Sequence, residues 1–278
     1  MSAEEPIRTE SAAASAPAAV DGPPVLIRLE GVRKQFGGHP VFRDLTLAFR
    51  RGETAVVLGA SGVGKSIMLK LILGLVKPDA GRIYIDGAEI TRLDERHLMP
   101  LRTRFGMLFQ GAALFDFLTV YENVAFTLRE HKTWPEETVR EVVRQKLALV
   151  DMDGTEDLLP EELSGGMKKR VGLARAIAMD PEVILYDEPT TGLDPVTADT
   201  INELIVRCQR ELKTTSIVVT HDMASAYKVG DRLVMLHEGE VIADGPPEAI
   251  RGHRDVRVQR FIHGDASLAA PAPQGDIP

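Results

Sequence analysis

The stretch Thr54-Ala-Val-Val-Leu58-Gly59-Ala-Ser-Gly-Val-Gly-Lys65-Ser66 joins a short apolar run to a glycine-rich octet, and an apolar helical pattern running to Gly74 follows it. Five residues without a charge, apolar on both faces, read as a buried central strand. The octet after it has the composition and position of a phosphate-binding loop. Its glycines, Gly59, Gly62 and Gly64, let the backbone N–H groups around Ser61 and Val63 wrap phosphate oxygens, and the following helix aims its positive end at them. Lys65 neutralises β- and γ-phosphate charge, and the Ser66 hydroxyl can ligate Mg²⁺. A plain glycine-rich turn capping a helix is the bland alternative, which the complete pattern in this context disfavours.

Working outward, short apolar runs alternate with longer amphipathic stretches, which predicts an α/β fold with a largely parallel sheet. Thr54 to Leu58, Val183 to Tyr186 and Ser216 to Thr220 are the clearest strands. Leu45, Leu47 and Phe49 alternate with Thr46, Ala48 and Arg50, as in an antiparallel, half-buried strand. Leu233 to Leu236 and Val241 to Ala243, joined through Glu238-Gly239, read as a hairpin. From Thr119 to Met179 helical periodicity takes over, with Val139, Val143, Leu147 and Val150 on one stripe, marking an inserted helical subdomain over about 115–179. Asp194 and Pro195 open another helix, with Ile201, Leu204, Ile205, Cys208 and Leu212 on its core face.

Polar groups at the carboxyl ends of parallel strands are where chemistry is expected. Val183-Ile-Leu-Tyr-Asp187-Glu188 ends in two carboxylates. Asp187 suits a Mg²⁺ site through water, and Glu188 suits the water-orienting or deprotonating group. Alone, such a pair is more often a helix cap; downstream of a phosphate loop the odds reverse. His221, after Ser216 to Thr220, is a candidate γ-phosphate contact, although in isolation it reads as a structural histidine. Leu163-Ser164-Gly165-Gly166-Met167 opens a second helix with bare glycines and a serine cap, and so is either another anion site or simply a well-capped helix. A second such site suggests two chains facing each other head to tail.

The 278 residues carry a formal net charge of -8, which argues against a surface built to neutralise nucleic-acid phosphates. The single cysteine, Cys208, excludes an internal disulfide and falls on an apolar stripe. No run approaches the roughly 20 apolar residues needed to cross a bilayer; the most apolar region, Phe105 to Val120, is broken by Gln110, Gly111 and Asp116. Residues 1–24 and 265–278, rich in Ala and Pro, are expected to be a disordered arm and a flexible tail flanking one domain over 25–264.

In these motifs the chain resembles ATPase subunits of ABC transporters over roughly Val25 to Gly264. The resemblance implies a P-loop NTPase (RecA-like) core with an antiparallel β subdomain and an inserted α-helical signature subdomain. Gly59 to Ser66 corresponds to the phosphate loop, Gln110 to the Q-loop glutamine, Leu163 to Met167 to the signature, and Asp187 and Glu188 to the Walker B pair. Gly192-Leu193-Asp194 corresponds to the D-loop, His221 to the switch histidine, and Phe36 to the aromatic that stacks on adenine. ATP with Mg²⁺, the ion held by Ser66, Gln110 and Asp187, would then bind between the loop of one copy and Ser164, Gly165 and Gly166 of a second. Ile67 stands where relatives have a hydroxyl for the α-phosphate.

Met167 and the segment Phe109 to His131 resemble the ATPases of Mla/Mce-type phospholipid transporters. That implies a peripheral place on the cytoplasmic face of a bacterial inner membrane, an Mla-type permease, an indirect periplasmic MCE lipid-binding protein, a STAS-domain partner, and no nucleic acid. Leu114, Phe115, Phe117 and Leu118 divide evenly between ordinary core and a groove for the permease. The tail after Phe261 either reaches across a partner ATPase, as in some relatives, or lacks structure. An importer ATPase for amino acids or another small solute, a soluble ABC protein and a scaffold without turnover are the competing readings.

Overall fold

A computed structural model of the chain describes residues 23–264; most of the expected arm, and all of the expected tail, lie outside the described residues. Two sheets organise it. The first is antiparallel, with β1 (Val25–Phe36), β2 (His39–Arg50), β4 (Ala80–Ile85) and β5 (Ala88–Glu89) in the order β2-β1-β4-β5. The second has six strands in the order β10-β9-β3-β8-β7-β6: β3 (Thr54–Leu58), β6 (Phe105–Leu108), β7 (Val183–Asp187), β8 (Thr215–Thr220), β9 (Arg232–His237) and β10 (Glu240–Gly245). Its pairings are parallel except at the β9–β10 hairpin. That hairpin turns through Glu238 (φ 48°) and Gly239 (φ 81°), the left-handed pair that matches the twist of its strands.

Each central strand feeds two cores, because successive side chains point to opposite faces. Val56, Leu58, Ile184, Tyr186 and Val218 face the helical side. Ala55, Val57, Val183, Leu185, Ile217 and Val219 face α1 (Lys65–Ile72) and the antiparallel sheet. Burial on both faces explains why these runs carry no alternation and stand out as continuous apolar stretches.

The helical lobe is made of α3 (Val120–His131), α4 (Glu136–Leu149) and α5 (Gly165–Ala176), with a short 3₁₀ turn at Pro160–Glu162. Val139, Val143, Leu147 and Val150 are fully or almost fully buried within it. A capping box starts α3: the Glu122 N–H donates to Thr119 Oγ1 at 3.2 Å and the Thr119 N–H to Glu122 Oε2 at 2.9 Å. Elsewhere run α2 (Glu95–Arg102), α6 (Pro195–Leu212), α7 (Met223–Val229), α8 (Pro247–Arg251) and α9 (Val256–His263).

The architecture is the expected one, with three additions. The strand centred on Leu47 extends over twelve residues. β1 pairs with β2 through a register shift between Leu29 and Val32, among others, and with β4 through one between Glu30 and Arg33, and these break its alternation. β6 lies hidden within the apolar run from Phe105.

Leu204 is fully buried on the inner face of α6. Leu204→Ala is expected to lower stability by about 2–5 kcal/mol through transfer loss and a residual cavity; the fall in thermal midpoint checks it.

Candidate active site

β3, β8, β7 and β6 are neighbours running the same way, so their carboxyl ends form one continuous edge. The segments leaving that edge carry, in the same order, the phosphate loop, His221, the Asp187–Glu188 pair and Gln110. These segments border a cleft of about 1130 Å³, whose wall includes Glu188 but not the buried Asp187. Ser61, Gly62, Gly64, Lys65, Ser66 and Ile67 line one part of it; Gln110, Glu188 and His221 line another.

Gly64 caps α1 at φ 106°, and a Cβ there would sit 2.5 Å from Val41 Cγ1 and 2.8 Å from the Phe42 ring, so only glycine fits. Lys65, 5% exposed, donates to the carbonyls of Gly59 at 2.6 Å and Ala60 at 3.1 Å, and its Nζ lies 3.2 Å from Glu188 Oε1. Lys65 and Glu188 thus neutralise each other, and an incoming phosphate competes with that carboxylate for the ammonium.

Glu188 sits in the left-handed region at φ 47°, a strained position for a side chain of its size. Its Oε2 accepts from Thr191 Oγ1 at 3.1 Å and Thr220 Oγ1 at 3.3 Å, and lies 2.8 Å from His221 Nδ1. Its N–H donates to the Val219 carbonyl at 2.9 Å.

Asp187 accepts from the Ser66 hydroxyl at 2.7 Å. Burial, joined by the neighbouring Glu188 carboxylate, holds its carboxyl above the usual 3.8, against the opposing pull of the Ser66 hydrogen bond. A buried carboxylate and the serine hydroxyl beside it are hard-oxygen donors of the kind Mg²⁺ takes, and Gln110 lines the same cleft as Ser66.

The remaining anticipated residues fall elsewhere. Gly59 and Val63 lie behind the cleft surface, one giving its carbonyl to Lys65 and the other packing on the core. Phe36 is 47% exposed at the end of β1, its ring centroid 5.0 Å from Lys34 Nζ. Ser164 caps α5, accepting from the Met167 N–H at 3.3 Å, and neither it nor Gly165 and Gly166 borders the chain's own cleft. A Cβ on Gly166 would meet Thr197 Cγ2 at 2.5 Å, so the starts of α5 and α6 touch. Asp194 also lies off the cleft wall; it caps α6, accepting from the N–H groups of Val196 and Thr197 at 3.0 and 3.1 Å, and hydrogen bonding from Thr197 holds its carboxyl below the usual range.

Several residues at the site escaped sequence reading. Lys169, 5% exposed on α5, donates to the Gln110 carbonyl and, at 3.3 Å, to that of Glu188; burial pushes its ammonium below its ordinary value. A signal existed: Lys169 stands three and four residues before the buried Gly172 and Leu173, hence on the same helix face. Thr191 also lines the cleft, as do His237 at the end of β9 and Arg257, Arg260 and Phe261 of α9. Phe261, beyond which the sequence suggested a crossing tail, thus belongs to the wall of the chain's own cleft.

Residues 42–191 match the family model described as ABC transporter. The chain belongs to the ABC transporter family. Among similar proteins, the probable ribonucleotide transport ATP-binding protein mkl of Mycobacterium tuberculosis is 42% identical over 86% of this chain and 67% of its own length. The intermembrane phospholipid transport system ATP-binding protein MlaF of Haemophilus influenzae is 41% identical over 87% of this chain and 91% of its own, and that of Escherichia coli 37% over 90% and 94%. The dimeric post-hydrolysis structure of the ATP-binding cassette MJ0796 bound to ADP and Pi superposes with a TM-score of 0.74 at 33% identity, covering 80% of this chain and 99% of that one. This ABC cassette is a nucleotide-binding ATPase. Among the described residues no helix is long and apolar enough to cross a membrane.

The raised pKa of Asp187 has a definite sign. Its ionised form is disfavoured in the folded cassette, so it lowers stability above its folded pKa, and the loss is relieved as pH falls through that value. Asp187→Asn is therefore expected to raise the thermal midpoint of the nucleotide-free chain at pH 7 by about 1–4 °C; an unchanged or lower midpoint in calorimetry contradicts this.

Proposed function

We propose that the chain powers phospholipid transport between the inner and outer membranes of a bacterial envelope, as one of two copies that sandwich ATP. The observation that carries the lipid reading is the match to MlaF proteins over nine-tenths of their length. The mkl protein of Mycobacterium tuberculosis, slightly more identical, is matched over only 67% of its length. Met167 and the Phe109 to His131 segment support the same choice.

In this reading Phe36 stacks on adenine, and the phosphate loop with Lys65 takes the β- and γ-phosphates. Ile67 offers no hydroxyl to the α-phosphate. Ser66, Gln110 and Asp187 hold Mg²⁺, which when bound supplies charge neutralisation on the phosphates. Glu188 orients or deprotonates the attacking water once phosphate has drawn Lys65 from its carboxylate, and His221 contacts the γ-phosphate while fixing Glu188. Ser164, Gly165 and Gly166 serve the nucleotide of the other copy, with Asp194 beside them; their distance from the chain's own cleft supports a head-to-tail pair. ATP drives closure because it binds the closed pair better than the open one.

A second groove of about 580 Å³ supports the permease reading. It lies between β6 and α2 on one side and α3 and α5 on the other, and Phe109, Phe115, Phe126 and Met99 line it. Phe126 is 41% exposed, and its ring centroid is 4.8 Å from that of Phe115. Asn123 pins this turn: its Oδ1 accepts from the Phe115 N–H at 2.8 Å and its Nδ2 donates to the carbonyls of Phe115, Leu118 and Thr119 at 3.0–3.1 Å. Of the four residues divided between core and groove, Phe115 lines the groove, Leu114 packs against the core, Leu118 is half-buried and Phe117 is 79% exposed. An apolar, rigidly framed groove suits an amphipathic segment of the membrane partner. The MCE protein, the STAS-domain partner and the peripheral place on the inner membrane belong to the same proposal.

Purifying the chain from membranes and identifying what accompanies it tests the cargo: an Mla-type permease with an MCE protein supports lipid transport, whereas a solute permease with a soluble binding protein overturns it. Glu188→Gln is expected to cut ATP turnover about 10²–10⁴-fold while nucleotide stays bound, read by phosphate release and retained label. Phe126→Asp is expected to leave nucleotide binding intact and abolish permease copurification.

A further inference from the structure

A buried polar cluster lies behind Glu188 and His221, away from the cleft wall. At its centre is Ser225 on α7, 1% exposed. Its Oγ is 2.5 Å from Asp222 Oδ2, 2.9 Å from Asn202 Nδ2 and 3.3 Å from Thr190 Oγ1. A hydroxyl has one proton and two lone pairs. The proton goes to the Asp222 carboxylate; the lone pairs receive the Asn202 amide and the Thr190 hydroxyl. The bonding capacity of Ser225 is therefore fully used.

The three partners come from three segments that the reaction needs in register. Thr190 follows Glu188 by two residues. Asn202, 4% exposed, stands two turns into α6, the helix that Asp194 caps. Asp222 adjoins His221, and its second oxygen, Oδ1, accepts from the Ala224 N–H at 2.9 Å. The Asp222 N–H donates to Thr220 Oγ1 at 3.1 Å, and that hydroxyl donates to Glu188 Oε2. Hydrogen bonds joined through the covalent frame of Asp222 thus link α6, by way of Ser225, to the Glu188 carboxylate. Packing does not account for it: Asn202 Oδ1 is buried with no partner among the described residues, a penalty that an apolar residue would avoid.

We infer that Ser225, with Asn202, is a positioning residue that locks the loop bearing His221 to the Glu188–Asp194 segment, so that Glu188 and His221 reach the γ-phosphate together. The inference rests on the roles proposed for those two residues.

The test compares steady-state ATP hydrolysis by the full chain and its variants, with folded fraction and thermal midpoint measured alongside. Ser225→Ala is expected to lower kcat about ten- to a hundredfold with KM for ATP changed less than about twofold. Ser225→Thr, which keeps the hydroxyl, is expected to retain at least about half the rate. Asn202→Leu is expected to follow Ser225→Ala. In a His221→Ala background, Ser225→Ala is expected to add less than about a twofold further loss, because both act through one histidine. Wild-type kcat in folded Ser225→Ala and Asn202→Leu overturns the inference, as does full additivity with His221→Ala. Failure of both variants to fold overturns it too, by making the cluster purely structural. If Glu188→Gln and His221→Ala themselves keep the wild-type rate, the assigned roles fail first and this inference falls with them; if they lose it while the cluster variants do not, only this inference falls.

Discussion

One carboxylate, that of Glu188, gathers Lys65 from the phosphate loop, Thr191 from the segment toward α6, and Thr220 and His221 from the end of β8. The backbone of the same residue takes Val219 on one side and Lys169 on the other. A left-handed glutamate costs of order 1–3 kcal/mol and persists only where its surroundings over-determine it. Here they do. The strain and the convergence have one origin, since the strand must turn sharply at its carboxyl end to place this side chain between the loop and the histidine.

Lys169 extends that convergence into the helical lobe. Its charge is desolvated on α5 and satisfied by two carbonyls, one from the Gln110 segment and one from Glu188. Through Lys169 the helical lobe is therefore tied to both the Gln110 and the Glu188 segments, and Arg175 of the same helix adds bonds to the Ala112 and Ala113 carbonyls. Any rotation of the lobe against the parallel sheet would have to move, stretch or break those bonds.

Much of the fold and the cleft was legible because each carboxyl-end group follows a short apolar run that reads as a buried strand: Leu58 before the loop, Tyr186 before Asp187, Thr220 before His221. β1 escaped because its register shifts erase the alternation, and β6 because its four residues merge into a longer apolar stretch. Arg257, Arg260 and Phe261 escaped for another reason: they line one cleft with a loop far away in the chain, which no local pattern encodes. Ser225 gave no signal either, as one serine in a short helix. Its partners are brought together only when β7, β8 and α6 have packed.

The alternation of β3 has a use beyond stability. Val56 and Val57 are adjacent in the chain, yet the first packs among residues of the helical lobe and the second among those of α1 and the antiparallel sheet. Their methyl groups are thus two separate listening posts on one rigid strand, a single residue apart. In a methyl-resolved spectrum, movement confined to one lobe would disturb one resonance and leave its neighbour silent, so the order in which the lobes respond to nucleotide is readable from inside the sheet itself.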